Sequence, residues 1–85
     1  MGVSSIKSLW DNKFMNDFIN VGLSRKIKKL RRKCGITQEQ LAELVETSYK
    51  YIQRIEGKNP PDVRLTTIVK LAKALKVKPS KLLEF

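Results

Sequence analysis

The chain has 85 residues, 41% hydrophobic composition, four glycines and three prolines, which suits one small globular domain with a modest core. It has no histidine and one cysteine, Cys34, so Cys/His zinc sites and Cys/His or Ser/His catalytic pairs are excluded, and we expect no enzyme activity, metal or other cofactor. No apolar run is long enough to span a membrane and no secretory signal is recognisable, so we expect a soluble, cytoplasmic protein.

The formal net charge of +10 is unevenly distributed along the chain. It is 0 over residues 1–20, +7 over 21–36, −2 over 37–57 and +5 over 58–85. A nearly neutral segment between basic ones is expected where one helix contacts bases and its neighbours neutralise phosphates. The basic segments lack the bulky apolar face of an interfacial helix, so no membrane partner is expected.

Residues 1–20 form an N-terminal extension in which a helix is predicted from about Ser8. Its large apolar residues recur at helical steps: Leu9, Trp10, Phe14, Phe18 and Ile19. Three of them are aromatic rings that would not remain in water, so the segment packs either back on its own domain or against a second copy. Both possibilities stay open at this point.

Residues 20–22, Asn-Val-Gly, are predicted to interrupt the helix and to separate the extension from a domain spanning residues 21–85. Helix one follows, with Leu23, Ile27 and Leu30 as its apolar stripe. Six cations cover the rest of its surface: Arg25, Lys26, Lys28, Lys29, Arg32 and Lys33. Gly35 is predicted to end it, and Cys34 is expected to be a small core residue.

Residues 37–56 are predicted to form two short helices joined by a tight turn. Thr37 and Gln40 have the spacing of a capping box, so helix two begins at about Gln38. An apolar face follows, made of Leu41, Ala42, Leu44 and Val45. A turn at about Glu46 leads to Ser48, which is predicted to cap helix three.

Helix three has a buried stripe and an exposed polar edge. At about 100° per residue, Ile52 and Ile55 lie on one side and Lys50 lies almost opposite, flanked by Gln53 and Arg54. Such side chains can hydrogen-bond base edges in the major groove. The alternative is an ordinary solvated face of a helical bundle.

The C-terminal third is predicted to contain a loop and two more helices. Two prolines end helix three before a loop over residues 57–62, and helix four begins at about Leu65. Its buried side is predicted to contain Ile68, Val69, Leu71, Ala72 and Leu75. Pro79 opens a last short helix, with Leu82 in the core and Leu83 and Phe85 at an interface between copies.

Residues 22–85, three quarters of the chain, resemble the phage repressor and Cro type of helix-turn-helix domain, the XRE family. Gln38, Leu41-Ala42, the turn, Ile52 and Ile55-Glu56 all match its spacing. The resemblance implies an all-α, five-helix repressor-like domain, here with an additional N-terminal helix. It also implies a sequence-specific transcriptional regulator, such as a repressor, that binds double-stranded DNA as a homodimer on a near-palindromic operator.

The resemblance also assigns roles to individual residues. It implies base contacts from Tyr49, Lys50 and Arg54, with Gln53 as a fourth. Phosphate or minor-groove contacts are implied for Gln38, Ser48, Lys58, Asn59 and Arg64, although plain solvent exposure is the alternative for Lys58 and Asn59. Arg31 is implied to pair with Glu56 and to be structural.

Two residues depart from the family pattern. Glu46 and Lys76 stand where the family usually has glycine at a helix end. If the backbone keeps a positive φ at these residues, each is strained by about 1 kcal/mol.

A protein-binding module is the alternative function, either an antitoxin or a coactivator. The N-terminal helix would then be the docking element, through Trp10, Phe14 and Phe18. Salt dependence separates the two functions, because DNA binding weakens steeply with salt and docking through aromatic rings does not.

Overall fold

The computed structural model describes residues 13–84, with side chains described from residue 14. Within that range the chain forms five helices: α1 spans Lys13–Lys33, α2 Gln38–Val45, α3 Tyr49–Ile55, α4 Leu65–Ala74 and α5 Pro79–Leu82. No residue between 13 and 84 lies in a strand. The predicted all-α, five-helix architecture is therefore confirmed.

The predicted interruption at residues 20–22 is wrong, because α1 is one continuous helix of 21 residues. A glycine inside a helix costs only about 1 kcal/mol, and Gly22 lies next to Leu23, which is buried. The preceding turn is also tied down, since the side-chain amide of Asn20 donates to Asp62 Oδ1 at 2.6 Å. The N-terminal extension thus continues helix one and is not a separate helix from residue 13 onward.

The ends of α1, α2 and α4 share one backbone conformation. Gly35, Glu46 and Lys76 follow these helices with φ values of 71°, 61° and 60°. The residue after each donates its N–H to a carbonyl five residues earlier, as in Thr47 to Ala42 at 2.9 Å and Val77 to Ala72 at 2.9 Å. The positive φ expected at Glu46 and Lys76 is therefore present.

The beginnings of α2 and α3 are capped as predicted. Thr37 Oγ1 accepts from the Gln40 backbone N–H at 3.0 Å, and Gln40 Oε1 accepts from the Thr37 N–H at 2.8 Å. Ser48 Oγ accepts from the Tyr51 N–H at 3.0 Å. Two short helices and the turn between them are thus fixed by local hydrogen bonds.

The core lies where α2 packs against α3 and α4, and where α5 packs against α4 and α1. Seven large side chains are fully buried in it: Ile27, Leu41, Ile52, Ile55, Leu71, Leu75 and Leu82. The predicted core assignment of Leu82 is confirmed. On the buried side predicted for α4, Val69 is only partly buried.

Two predictions about the core are wrong. Leu44 is 58% exposed, because the buried stripe of α2 runs through Leu41, Ala42 and Val45 and Leu44 lies about 100° away from its centre. Cys34 is exposed, because it lies just beyond the end of α1, where its thiol approaches the Leu75 carbonyl oxygen at 3.5 Å.

No helix within residues 13–84 combines the length and the hydropathy needed to cross a membrane.

Candidate nucleic-acid interface

The helix α3 separates buried from exposed side chains sharply. Ile52 and Ile55 have no exposed surface, which fixes the rotation of the helix about its axis. The four predicted base-contacting residues are all exposed: Tyr49, Lys50, Gln53 and Arg54. We call these four side chains the α3 edge.

The C-terminal end of α3 is held by a buried ion pair. Arg31 donates to Glu56 through Nε to Oε2 at 2.7 Å and through Nη2 to Oε1 at 3.0 Å, and both residues are buried. Its Nη1 donates to the Ile36 carbonyl oxygen at 2.9 Å, so the guanidinium makes three hydrogen bonds to two residues. The predicted structural pair is present, and it connects α1 to the residue that ends α3.

Gln38 belongs to the same network. Its side-chain amide donates to Glu56 Oε1 at 3.0 Å, which connects the first residue of α2 to the end of α3. One of its two amide hydrogens is therefore used inside the molecule. We call the hydrogen bonds of Arg31 and Gln38 to Glu56 the clamp. No buried side-chain nitrogen or oxygen in the described part of the chain lacks a hydrogen-bond partner, so every buried polar atom of the clamp is hydrogen-bonded.

The other predicted phosphate contacts lie around α3. Ser48 accepts a hydrogen bond from the backbone and its hydroxyl hydrogen is available for donation. Lys58, Asn59 and Arg64 are exposed in the segment between α3 and α4, and the Arg64 side chain makes no capping hydrogen bond to α4. All three are free to contact an anion.

The loop that carries these residues is attached to α1 at two points. Besides the bond between Asn20 and Asp62, Ser24 Oγ donates to the Gly57 carbonyl oxygen at 3.5 Å. Sequence reasoning missed both contacts, because they join residues 42 and 33 positions apart. These two hydrogen bonds anchor to α1 the loop that carries the residues predicted to contact phosphates.

Comparison with known proteins identifies this arrangement. A family model for the helix-turn-helix domain matches residues 27–82, about two thirds of the chain. The chain belongs to this family. It is a DNA-binding transcriptional regulator of the XRE type, as the resemblance implied.

A solved structure is similar to this helix-turn-helix regulator. It is the restriction-modification controller protein C.AhdI from Aeromonas hydrophila, with 33% sequence identity and a TM-score of 0.70. The alignment covers 74% of this chain and 94% of that one. No match was found among curated proteins.

Three of the residues predicted to contact a second copy or a partner protein are described, and they lie outside the stretch that the family model matches: Phe14, Phe18 and Leu83. Phe14 and Phe18 are 67% and 58% exposed, so neither ring packs back on its own domain, and Leu83 is 49% exposed. Trp10 and Phe85 lie outside the described residues. The described part of the regulator contains no cluster of residues suited to hold a metal ion.

Proposed function

We propose that the protein binds a near-palindromic operator as a homodimer, placing one α3 edge in each of two successive major grooves. The observation that carries the proposal is the exposure of the α3 edge opposite two fully buried isoleucines. Half-sites of such dimers lie about one helical turn, roughly 34–36 Å, apart. The similarity to C.AhdI supports a role in controlling restriction-modification genes.

Base contacts come from the α3 edge. Lys50 and Arg54 suit guanine O6 and N7, so each half-site should contain at least one G·C pair. Tyr49 suits a thymine methyl group or a phosphate, and Gln53 supplies a further hydrogen-bonding group. The clamp at Glu56 keeps these side chains in one orientation while they dock.

Phosphate contacts come from both sides of α3. Ser48 and Gln38 present donors at the first turns of α3 and α2, where backbone N–H groups also favour an anion. Lys58, Asn59 and Arg64 contact the backbone from the loop, with Arg64 able to reach the minor groove. These contacts set the register of the protein and contribute most of the salt dependence.

Selection of bound duplexes from a random pool tests the proposal. We expect an enriched near-palindrome with a G·C pair in each half-site and affinity that falls steeply as salt increases. Lys50→Ala should change the enriched sequence, whereas Lys73→Ala, a matched exposed lysine of α4, should not. An unenriched pool, or binding unaffected by salt, would contradict the proposal and favour the protein-binding module.

A further inference from the structure

The part of α1 that precedes the family match carries exposed apolar surface without a role in the proposed DNA contacts. Phe14 and Phe18 belong to the lining of an open groove that runs along a single face of α1 as far as Lys29. Glu84, near the C-terminal end of the chain, borders it. We call this surface the α1 groove.

The residues of the α1 groove change character along the helix. Its N-terminal half contains Phe14, Asp17 and Phe18, and its C-terminal half contains three cations, Arg25, Lys26 and Lys29. Val21 and Gly22 lie in the middle. These positions recur every three or four residues, so they share one helix face.

We propose that the α1 groove is occupied by α1 of a second copy, with the two helices antiparallel and crossing at Val21 and Gly22. Antiparallel pairing about this point brings residue 17 opposite residue 26, residue 18 opposite 25 and residue 14 opposite 29. Phe14, Asp17 and Phe18 then each meet a cation of the other copy. The inference rests on the homodimer proposed above and names its surface.

The charges of the groove favour this partner and orientation. Asp17 of one copy lies opposite Lys26 of the other, which carries the opposite charge. The rings of Phe14 and Phe18 lie against the apolar stems and cationic heads of the other copy's lysine and arginine side chains. Parallel pairing would place like cations together. A uniformly acidic partner would meet like charge at Asp17 and Glu84, and a uniformly basic one at the three cations, so the groove suits a partner with charges of both signs in the matching order.

The size of the apolar surface sets the strength of the dimer. At about 200 Å² for a whole phenylalanine, the exposed fractions of the two rings leave roughly 250 Å² per copy. A stable interface buries about 1,200 Å² or more in total, so the rings supply less than half. The cation stems and the C-terminal end, where Leu83 is exposed beside Glu84, add to it. We therefore expect a weak dimer whose formation depends on protein concentration and is favoured by binding to DNA.

Sedimentation equilibrium of the full chain without DNA tests the pairing by charge exchange. Asp17→Lys and Lys26→Asp should each weaken dimerisation at least about tenfold, because every change counts twice in a two-fold interface. The double variant should restore it. Lys28→Asp, on the same helix but outside the groove, is the matched control, and Phe18→Asp should give only monomer.

Three results would overturn the pairing. These are a monomeric parent at every concentration, charge exchanges that act no differently from Lys28→Asp, and a double variant that fails to recover. Circular dichroism of each variant separates loss of dimer from loss of fold. A monomeric parent would assign the groove to residues 1–12 or to another protein.

The same experiments distinguish this inference from the proposed function. A dimer that selects no DNA sequence would contradict the proposed function and leave the α1 pairing standing. A monomer that selects a half-site would do the reverse.

Discussion

Replacing Arg31 with methionine tests the clamp that orients α3. The side chains of Arg31 and Glu56 are 11% and 1% exposed, so the substitution leaves a buried carboxylate with the Gln38 amide as its remaining donor. It also removes the donor to the Ile36 carbonyl oxygen. Breaking a buried ion pair in this way costs about 3–5 kcal/mol.

That loss is large for a domain of this size. At about 4–8 °C per kcal/mol, the melting temperature should fall by roughly 12–40 °C. The free energy of unfolding of native proteins is only about 5–15 kcal/mol, so the variant loses a large fraction of its stability. The measurement is thermal and urea denaturation followed by far-ultraviolet circular dichroism.

Arg32→Met is the matched control, because Arg32 is the next residue of α1 and is exposed. It should change the melting temperature little. Adding Glu56→Leu to Arg31→Met should recover part of the loss, since no buried charge is then left without its partner. An Arg31→Met protein as stable as the Arg32→Met protein would refute the structural role.

Five other substitutions have defined outcomes. Arg54→Ala should cost about 1–3 kcal/mol of operator binding and relax specificity at one position, and equal losses on random duplexes would contradict a base contact. Lys58→Ala should weaken binding to all duplexes alike and reduce the slope of log K against log salt by about one; an unchanged slope would leave Lys58 as a solvated side chain. Glu46→Gly and Lys76→Gly should each stabilise the fold by up to about 1 kcal/mol, because each relieves a positive φ at a residue with a side chain. Gly35→Ala should destabilise the fold through its positive φ alone, because an added Cβ there meets nothing within 4 Å. Lower melting temperatures for both variants that introduce glycine would refute the strain.

Helix boundaries were predictable because local side chains encode them. The capping box of Thr37 and Gln40 and the cap at Ser48 involve residues three apart, and Pro79 restricts its own φ. The phase of Ile52 and Ile55 likewise located the α3 edge, since helical periodicity alone determines which side chains lie opposite each other.

The features that the sequence did not predict depend on tertiary contacts, which helical periodicity does not reveal. The continuity of α1 past Gly22 depends on burial of the neighbouring turn and on the Asn20–Asp62 bond across 42 residues. Leu44 is apolar but lies about 100° from the centre of its stripe, and the packing of α2 against α3 and α4 leaves it exposed. The use of the Gln38 amide inside the clamp also depends on a long-range contact.

The α3 edge owes its orientation to tertiary contacts, because an isolated helix of seven residues is unstable in water. The two buried isoleucines fix its rotation, and Glu56 fixes its end. Since Arg31 comes from α1 and Gln38 from α2, one carboxylate joins the supporting helix and both helices of the helix-turn-helix unit. Under the proposed function, a change at Arg54 should therefore remove one base contact, whereas a change at Glu56 should move every contact of the edge together. We expect specificity to depend on single side chains of the α3 edge, and affinity for any sequence to depend on a clamp that contacts no base.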